Sequence, residues 1–198
     1  MNYDIEDIHN YLLSKATPPF SEISSIIKRN GIIGLPSQRT KYSPLEYLQK
    51  IIIGQQLSTS VANVIWERVV NSGFNLNENS DRIALVKHGV SKSKAKAMNE
   101  LVSKFTLMDE ILKSGDGKLI RENLLSVWGI GKWTTEIFLI FYLNHQDILP
   151  AEDGSIQRAL KDILSTNVNT TLVEDLSARF SPYGSYLSMH LWAFLDKE

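Results

Sequence analysis

The chain has 198 residues, 43% hydrophobic and 22% charged, with a net charge of −1. That length suits one domain or two small lobes with a real core, and the near-neutral charge is not that of a dedicated polyanion binder. The absence of cysteine excludes a disulfide framework, a thiolate zinc site and a cysteine-held iron–sulfur cluster. No apolar run approaches a membrane span, and the polar, acidic start Met1–Tyr11 is unlike a signal peptide, so a location inside the cell is expected. The charge is unevenly spread. Lys87–Lys104 holds five lysines, one histidine and a single acid, Glu100; Lys28–Lys50 holds five basic residues and a single acid, Glu46. Each cluster is either a solvated helix face or a basic surface.

Ile5, Ile8, Tyr11 and Leu12 have helical spacing, Thr17-Pro18-Pro19 breaks the chain, and Phe20–Ile27 is a second short helix. Gly31–Thr40 is a loop. Ser43-Pro44-Leu45-Glu46 is a helix start with a capping box and proline at the first helical position, followed by the stripe Leu45, Leu48, Ile51, Ile52. This helix runs into Gly54-Gln55-Gln56-Leu57-Ser58, and the next one places Val61, Val64, Ile65 and Val69 on one face. Asn71–Ser80 is a polar loop, and a short helix over Arg82–Lys87 ends at Gly89. Ser91 caps a helix whose core face is Met98, Leu101, Val102 and Phe105. After the turn Gly115-Asp116-Gly117, helices are expected over Leu119–Val127 and Trp133–Leu143, then beyond Asp153, over Leu172–Phe180, and from Ser181-Pro182 to the end. No convincing strand and no repeat at fixed period is found, so the class is all-α.

Two stretches carry chemistry. The first is the turn Gly129-Ile130-Gly131 before a helix that opens on Lys132, Trp133 and Thr134. Both glycines are expected to permit a tight turn with positive φ and to leave the backbone open. The N–H groups of the helix start, with the helix dipole behind them, suit a phosphate. Such a grip reads no sequence and needs few lysines. A plain helix–turn–helix corner has the same look. The second is Ala151-Glu152-Asp153-Gly154, where Asp153 suits a helix N-cap and also a reactive carboxylate, with Glu152 given at most a minor electrostatic part. His145 and His190 lack a serine, cysteine or metal partner at a recognisable spacing and read as structural.

The stretches Leu124–Glu136 and Leu149–Arg158 closely resemble the helix–hairpin–helix DNA glycosylase superfamily, and most of all its alkylation-repair branch, 3-methyladenine DNA glycosylase II, in the compact form without an N-terminal β domain. Ile53–Ser58 resembles the segment that inserts into the duplex, Gly89–Ala95 a Gly-x-Ser-x-x-Lys segment, and Pro182–Tyr186 with His190-Leu191-Trp192 the C-terminal helix. Together these cover about residues 43 to 195 in the family's order. The resemblance implies a two-lobed helical fold, with one lobe over about 43–144, including the hairpin 124–134, and the other over about 1–42 and 145–198.

It also implies roles. Asp153 matches the essential aspartate, which stabilises positive charge on the sugar and orients the attacking water. Trp133 stands where strand-cleaving relatives carry a lysine nucleophile, which implies a monofunctional enzyme using water. Trp133 and Trp192 match base-pocket positions, where an aromatic face attracts a cationic alkylated base; Trp66 and Trp128 are expected in the core. Gln56 matches the intercalating wedge, with Leu57 as the alternative. Gly129, Ile130, Gly131, Lys132 and Thr134 match the phosphate grip. The carbonyls of Leu125, Val127 and Ile130 match those that hold a monovalent cation, Na+ or K+, and no other cofactor is implied. The partner is damaged double-stranded DNA, with no membrane involved and the enzyme acting as a monomer. Gly184 departs from the family, which often has Arg there, so a charge contact is expected to be missing. A glycosylase for another lesion (uracil, hypoxanthine, an adenine mispair), a non-catalytic hairpin module that only binds DNA, and a helical protein-interaction domain stay open alongside.

Overall fold

The computed structural model describes residues 4–78 and 82–195. The last two positions of the expected loop 71–80 lie outside them, as do the first three residues of the chain. Eleven helices and no strand occur among the described residues, and no helix is long and apolar enough to cross a membrane. The chain forms two compact units: Gln38–Tyr142 is one, and Met1–Ser37 with Leu143–Glu198 is the other.

The unit Gln38–Tyr142 is built around α3 (Pro44–Gly54), which packs on α4 (Thr59–Asn71), α6 (Lys92–Ser114) and α8 (Lys132–Phe141). Its start is the expected one: the Ser43 side chain accepts the Glu46 N–H, and the Ser43 N–H donates to the Glu46 carboxylate at 2.7 Å. Leu45, Leu48, Ile51, Ile52 and Ile53 are all buried, so α3 is apolar nearly all round rather than on one stripe. Truncating Leu48 to alanine would cost about 2–5 kcal/mol. Tyr142 stacks on both Tyr47 and Phe138 beside it, and Trp66 is buried as expected. Helix α5 (Arg82–Lys87) packs on α6, and α6 on α7 (Gly117–Leu125). Ser91 caps α6; that helix runs unbroken for 23 residues, because nothing between Lys92 and Gly115, where the chain turns left-handed, interrupts it.

The other unit contains α1 (Ile5–Lys15), α2 (Ser21–Asn30), α9 (Gly154–Leu164), α10 (Thr170–Phe180) and α11 (Gly184–Leu195). Its core joins Ile8, Leu12, Ile23, Ile27, Leu160, Phe180 and Leu191. Helix α11 is the central element, lying against α9 and α2. It begins at Gly184, two residues past Pro182.

Candidate functional site

The hairpin in the first unit joins α7 to α8. Leu124, Val127 and Ile130 are buried and anchor it from below, and Arg121 on α7 meets Glu136 on α8 at 3.6 Å. Lys104 of α6 donates to the Ser126 carbonyl at 3.1 Å. Gly129 has φ 86°, and a Cβ there would stand 2.5 Å from the Cβ of Ala97. Both its conformation and its contact with α6 therefore demand glycine. Gly131 corrects the expectation for the second glycine: its φ is −99°, ordinary extended backbone. Its missing side chain leaves open space, since a Cβ would meet nothing within 4 Å. Gly131 is the N-cap of α8 and supplies no side-chain cap.

Lys132 beside it is exposed, and Trp133 is half-buried. The side chains of Ile130 and Thr134 are buried, Thr134 at 2% exposure, so these two can meet a phosphate only through the backbone. The expected cation carbonyls begin at Leu125, the last residue of α7, where the last carbonyls of a helix have no intrahelical partner; that of Val127 also accepts the Ile130 N–H at 3.1 Å. Trp128 corrects a second expectation. It is 45% exposed rather than in the core, with the Lys96 ammonium 4.0 Å from its ring centroid.

The wedge candidates occupy the short turn between α3 and α4. Gln56 is exposed and holds a left-handed φ of 57°, and Leu57 is 38% exposed. Ser58 caps α4. The lysine-rich stretch that follows divides its labour. Lys87, Lys92 and Lys96 line a groove of about 560 Å³ with Ile83, Val86 and Ser93, Lys104 pairs with Glu100 at 3.0 Å, and Lys94 turns inward.

The carboxylate site lies in the second unit. Asp153 is the N-cap of α9 and is 7% exposed. Its Oδ1 accepts the Ile156 N–H at 2.9 Å and the Trp192 indole N–H at 3.3 Å. The capping role and the proposed chemistry thus share one side chain. Glu152 is exposed, and a Cβ on Gly154 would meet nothing within 4 Å, so one face of the turn is unobstructed by its neighbour. Gln157 fastens the turn by donating to the Ala151 carbonyl at 2.7 Å.

The preceding loop is seated on α11 by small residues. Ser185 Oγ donates to the His145 carbonyl at 2.7 Å and accepts the Ile148 N–H at 3.0 Å. Ser188 Oγ donates to the Ile148 carbonyl at 3.0 Å, and the Asp147 carboxylate accepts the Gly184 N–H at 3.1 Å. A Cβ on Gly184 would come within 3.1 Å of that carboxylate, which gives the departure at Gly184 a steric reason. The Gly184, Ser185 and Ser188 pattern on one helix face was the available signal for this seat. His190 is buried beside His9, with ring centroids 6.1 Å apart, and His145 accepts the Asp147 N–H at 3.3 Å.

No protein-family model matches the chain. It is 27% identical over 184 residues to the alkylbase DNA glycosidase-like protein mag2 of Schizosaccharomyces pombe, covering 85% of each chain. It is 31% identical over 133 residues to DNA-3-methyladenine glycosylase 1 of the same yeast, covering 61% of this chain and 58% of that one. Among solved structures, the S. pombe 3-methyladenine DNA glycosylase Mag1 in complex with abasic DNA superposes with a TM-score of 0.80 over 96% of this chain and 97% of that one. Its 22% identity speaks for the fold. The relatives of this chain thus carry the names of alkylbase and 3-methyladenine DNA glycosylases or glycosidase-like proteins, and the fold of the chain is the helix–hairpin–helix glycosylase fold. In this fold the turn 129–131 joins α7 to α8, and Asp153 opens α9, one helix and one loop later.

Proposed function

We propose that the protein is a monofunctional DNA glycosylase that hydrolyses the N-glycosidic bond of alkylated purines, of the 3-methyladenine type, in duplex DNA and leaves an abasic site. The observation that carries this reading is Asp153: a buried carboxylate at the head of α9, oriented by the Ile156 N–H and the Trp192 indole on one oxygen. Breaking the bond builds positive charge on the sugar. The Asp153 carboxylate stabilises that charge and orients the attacking water, which supplies the hydroxyl of the new abasic sugar. An alkylated purine that already carries positive charge departs as a neutral base, so no second acid is required.

The base must leave the stack to be reached. The backbone N–H groups after Gly131, with Lys132, grip a phosphate; Gln56 or Leu57 fills the vacated place; Trp133 and Trp192 offer aromatic faces to a cationic base. Trp133 in place of a lysine supports hydrolysis over Schiff-base chemistry. The carbonyls of Leu125, Val127 and Ile130 suit a monovalent cation, because the C-terminal end of α7 carries the negative end of the helix dipole. Such an ion would add positive charge for the phosphate. The enzyme acts as a monomer on damaged duplex DNA inside the cell.

The test is release of free base from duplexes carrying single 3-methyladenine, 7-methylguanine, 1,N6-ethenoadenine, hypoxanthine or uracil. Release of one or more alkylated purines is expected, with uracil untouched. Release confined to hypoxanthine or uracil would reassign the lesion, and release of none would leave a DNA-binding protein.

A further inference from the structure

The wedge turn is tied down from both sides by residues with no part in the roles above. Helix α3 ends at Gly54, so its last carbonyls lack intrahelical donors and carry the negative end of the helix dipole. Lys94, from the first turn of α6, fills that end: its Nζ donates to the Ile53 carbonyl at 2.8 Å and the Gln55 carbonyl at 2.7 Å. Burial lowers the Lys94 pKa from its ordinary value, as befits an ammonium used inside the unit rather than held out to solvent. Gln55 faces the other way. Its side-chain amide donates to the Gly129 carbonyl at 3.0 Å and to Thr134 Oγ1 at 2.9 Å. One contact is therefore on the hairpin and the other on the first turn of α8. Between these anchors Gln56 is held in the left-handed region, an unfavourable conformation for a residue with a side chain that persists where the surroundings over-determine it.

We propose that Lys94 and Gln55 are positioning residues that lock the wedge turn to the hairpin, so that gripping the phosphate and presenting Gln56 and Leu57 to the stack are one event. The proposal rests on the DNA-glycosylase reading above and adds two residues to it. A turn already held in shape loses little freedom when it enters the duplex. A turn freed at either anchor would have to be ordered at that moment.

The experiment compares affinity for a duplex containing a tetrahydrofuran abasic analogue with affinity for the same duplex undamaged. Wild type is expected to prefer the abasic analogue, where the gap admits a wedge, and Gln56→Ala to lose most of that preference. Lys94→Met and Gln55→Leu should each reduce the preference about tenfold, the scale of coupling within one hydrogen-bond network, while affinity for undamaged duplex stays within about twofold. Lys94→Arg should restore much of it, since a guanidinium can donate to both carbonyls. Adding Lys94→Met to Gln56→Ala should change little, because the wedge it positions is gone. Equal loss on both duplexes, fully additive losses, an unaltered preference in the single variants, or no preference in wild type would each overturn the proposal. Circular dichroism melts check folding, and Gln55→Leu carries the test if Lys94→Met does not fold. Because the readout is binding, a wild type that excises nothing yet loses its abasic preference in these variants would refute the glycosylase reading and leave the coupling standing.

Discussion

Helices α8 and α9 each open on a row of backbone N–H groups at the positive end of a helix dipole, but they are equipped in opposite ways. Before α8 stands Gly131, which brings no side-chain acceptor and has open space where a Cβ would be. Before α9 stands Asp153, whose own carboxylate takes the Ile156 N–H. One helix start has no acceptor of its own, and the other carries its acceptor within. In the proposed reading, the same backbone physics serves a DNA phosphate in one unit and holds the carboxylate for chemistry in the other.

The largest effect that would break this contrast is at Asp153. Asp153→Asn keeps a good N-cap, so the melting temperature should hold, while single-turnover excision falls about 10²–10³-fold, the scale for losing one preorganised electrostatic group. The hairpin glycines sharpen the other side. Gly129→Ala drives a methyl toward Ala97 at a φ of 86° and should cost about 1–3 kcal/mol in a denaturant or thermal melt. Gly131→Ala, at φ −99° with nothing nearby, should leave stability intact and weaken DNA affinity, because its methyl would stand in the proposed path of the phosphate. Equal destabilisation by both would mean that the second glycine is structural after all.

Trp192→Phe keeps an aromatic face and removes the indole N–H from Asp153. Excision should slow about tenfold, in line with a hydrogen bond to a charged group, with little change in DNA affinity. The smallest effect concerns pH and both units. Burial raises Tyr47 and Tyr142 in one unit and Tyr186 in the other above their ordinary 10.0, with Tyr42 adding to the shift at Tyr47. The folded state then keeps protons that the unfolded chain gives up, so stability is full below pH 10 and declines as pH rises through the raised values. Melts from pH 8 to 11 check this, and a flat profile would contradict it.

Much of this was legible in the residues. Capping signals placed the starts of α3 and α6 through Ser43, Glu46 and Ser91, and apolar spacing found nearly every helix. Gly129 was read correctly because a tight turn next to a helix requires glycine. The backbone of Gly131 was not legible, because sequence alone does not separate a glycine with a positive φ from one in ordinary extended backbone. Trp128 was misplaced because a tryptophan inside an apolar motif looks like core, whereas here Lys96 covers its ring in the open. Lys94 and Gln55 were invisible as a pair: both act through carbonyls or a hydroxyl far away in sequence, and any residue has a carbonyl. The seat of the Asp153 loop left only the small-residue pattern Gly184, Ser185 and Ser188 as its signal, and the carbonyls it binds are not visible in sequence.

The most direct measurement takes wild type, Asp153→Asn and Gly131→Ala and determines, for each, the duplex dissociation constant and the single-turnover rate of 3-methyladenine release at saturating enzyme. Asp153→Asn should lose rate and keep affinity, and Gly131→Ala should lose affinity and keep rate. Full rate in Asp153→Asn, or the loss of both quantities together in both variants, would contradict the division of labour between the two helix starts.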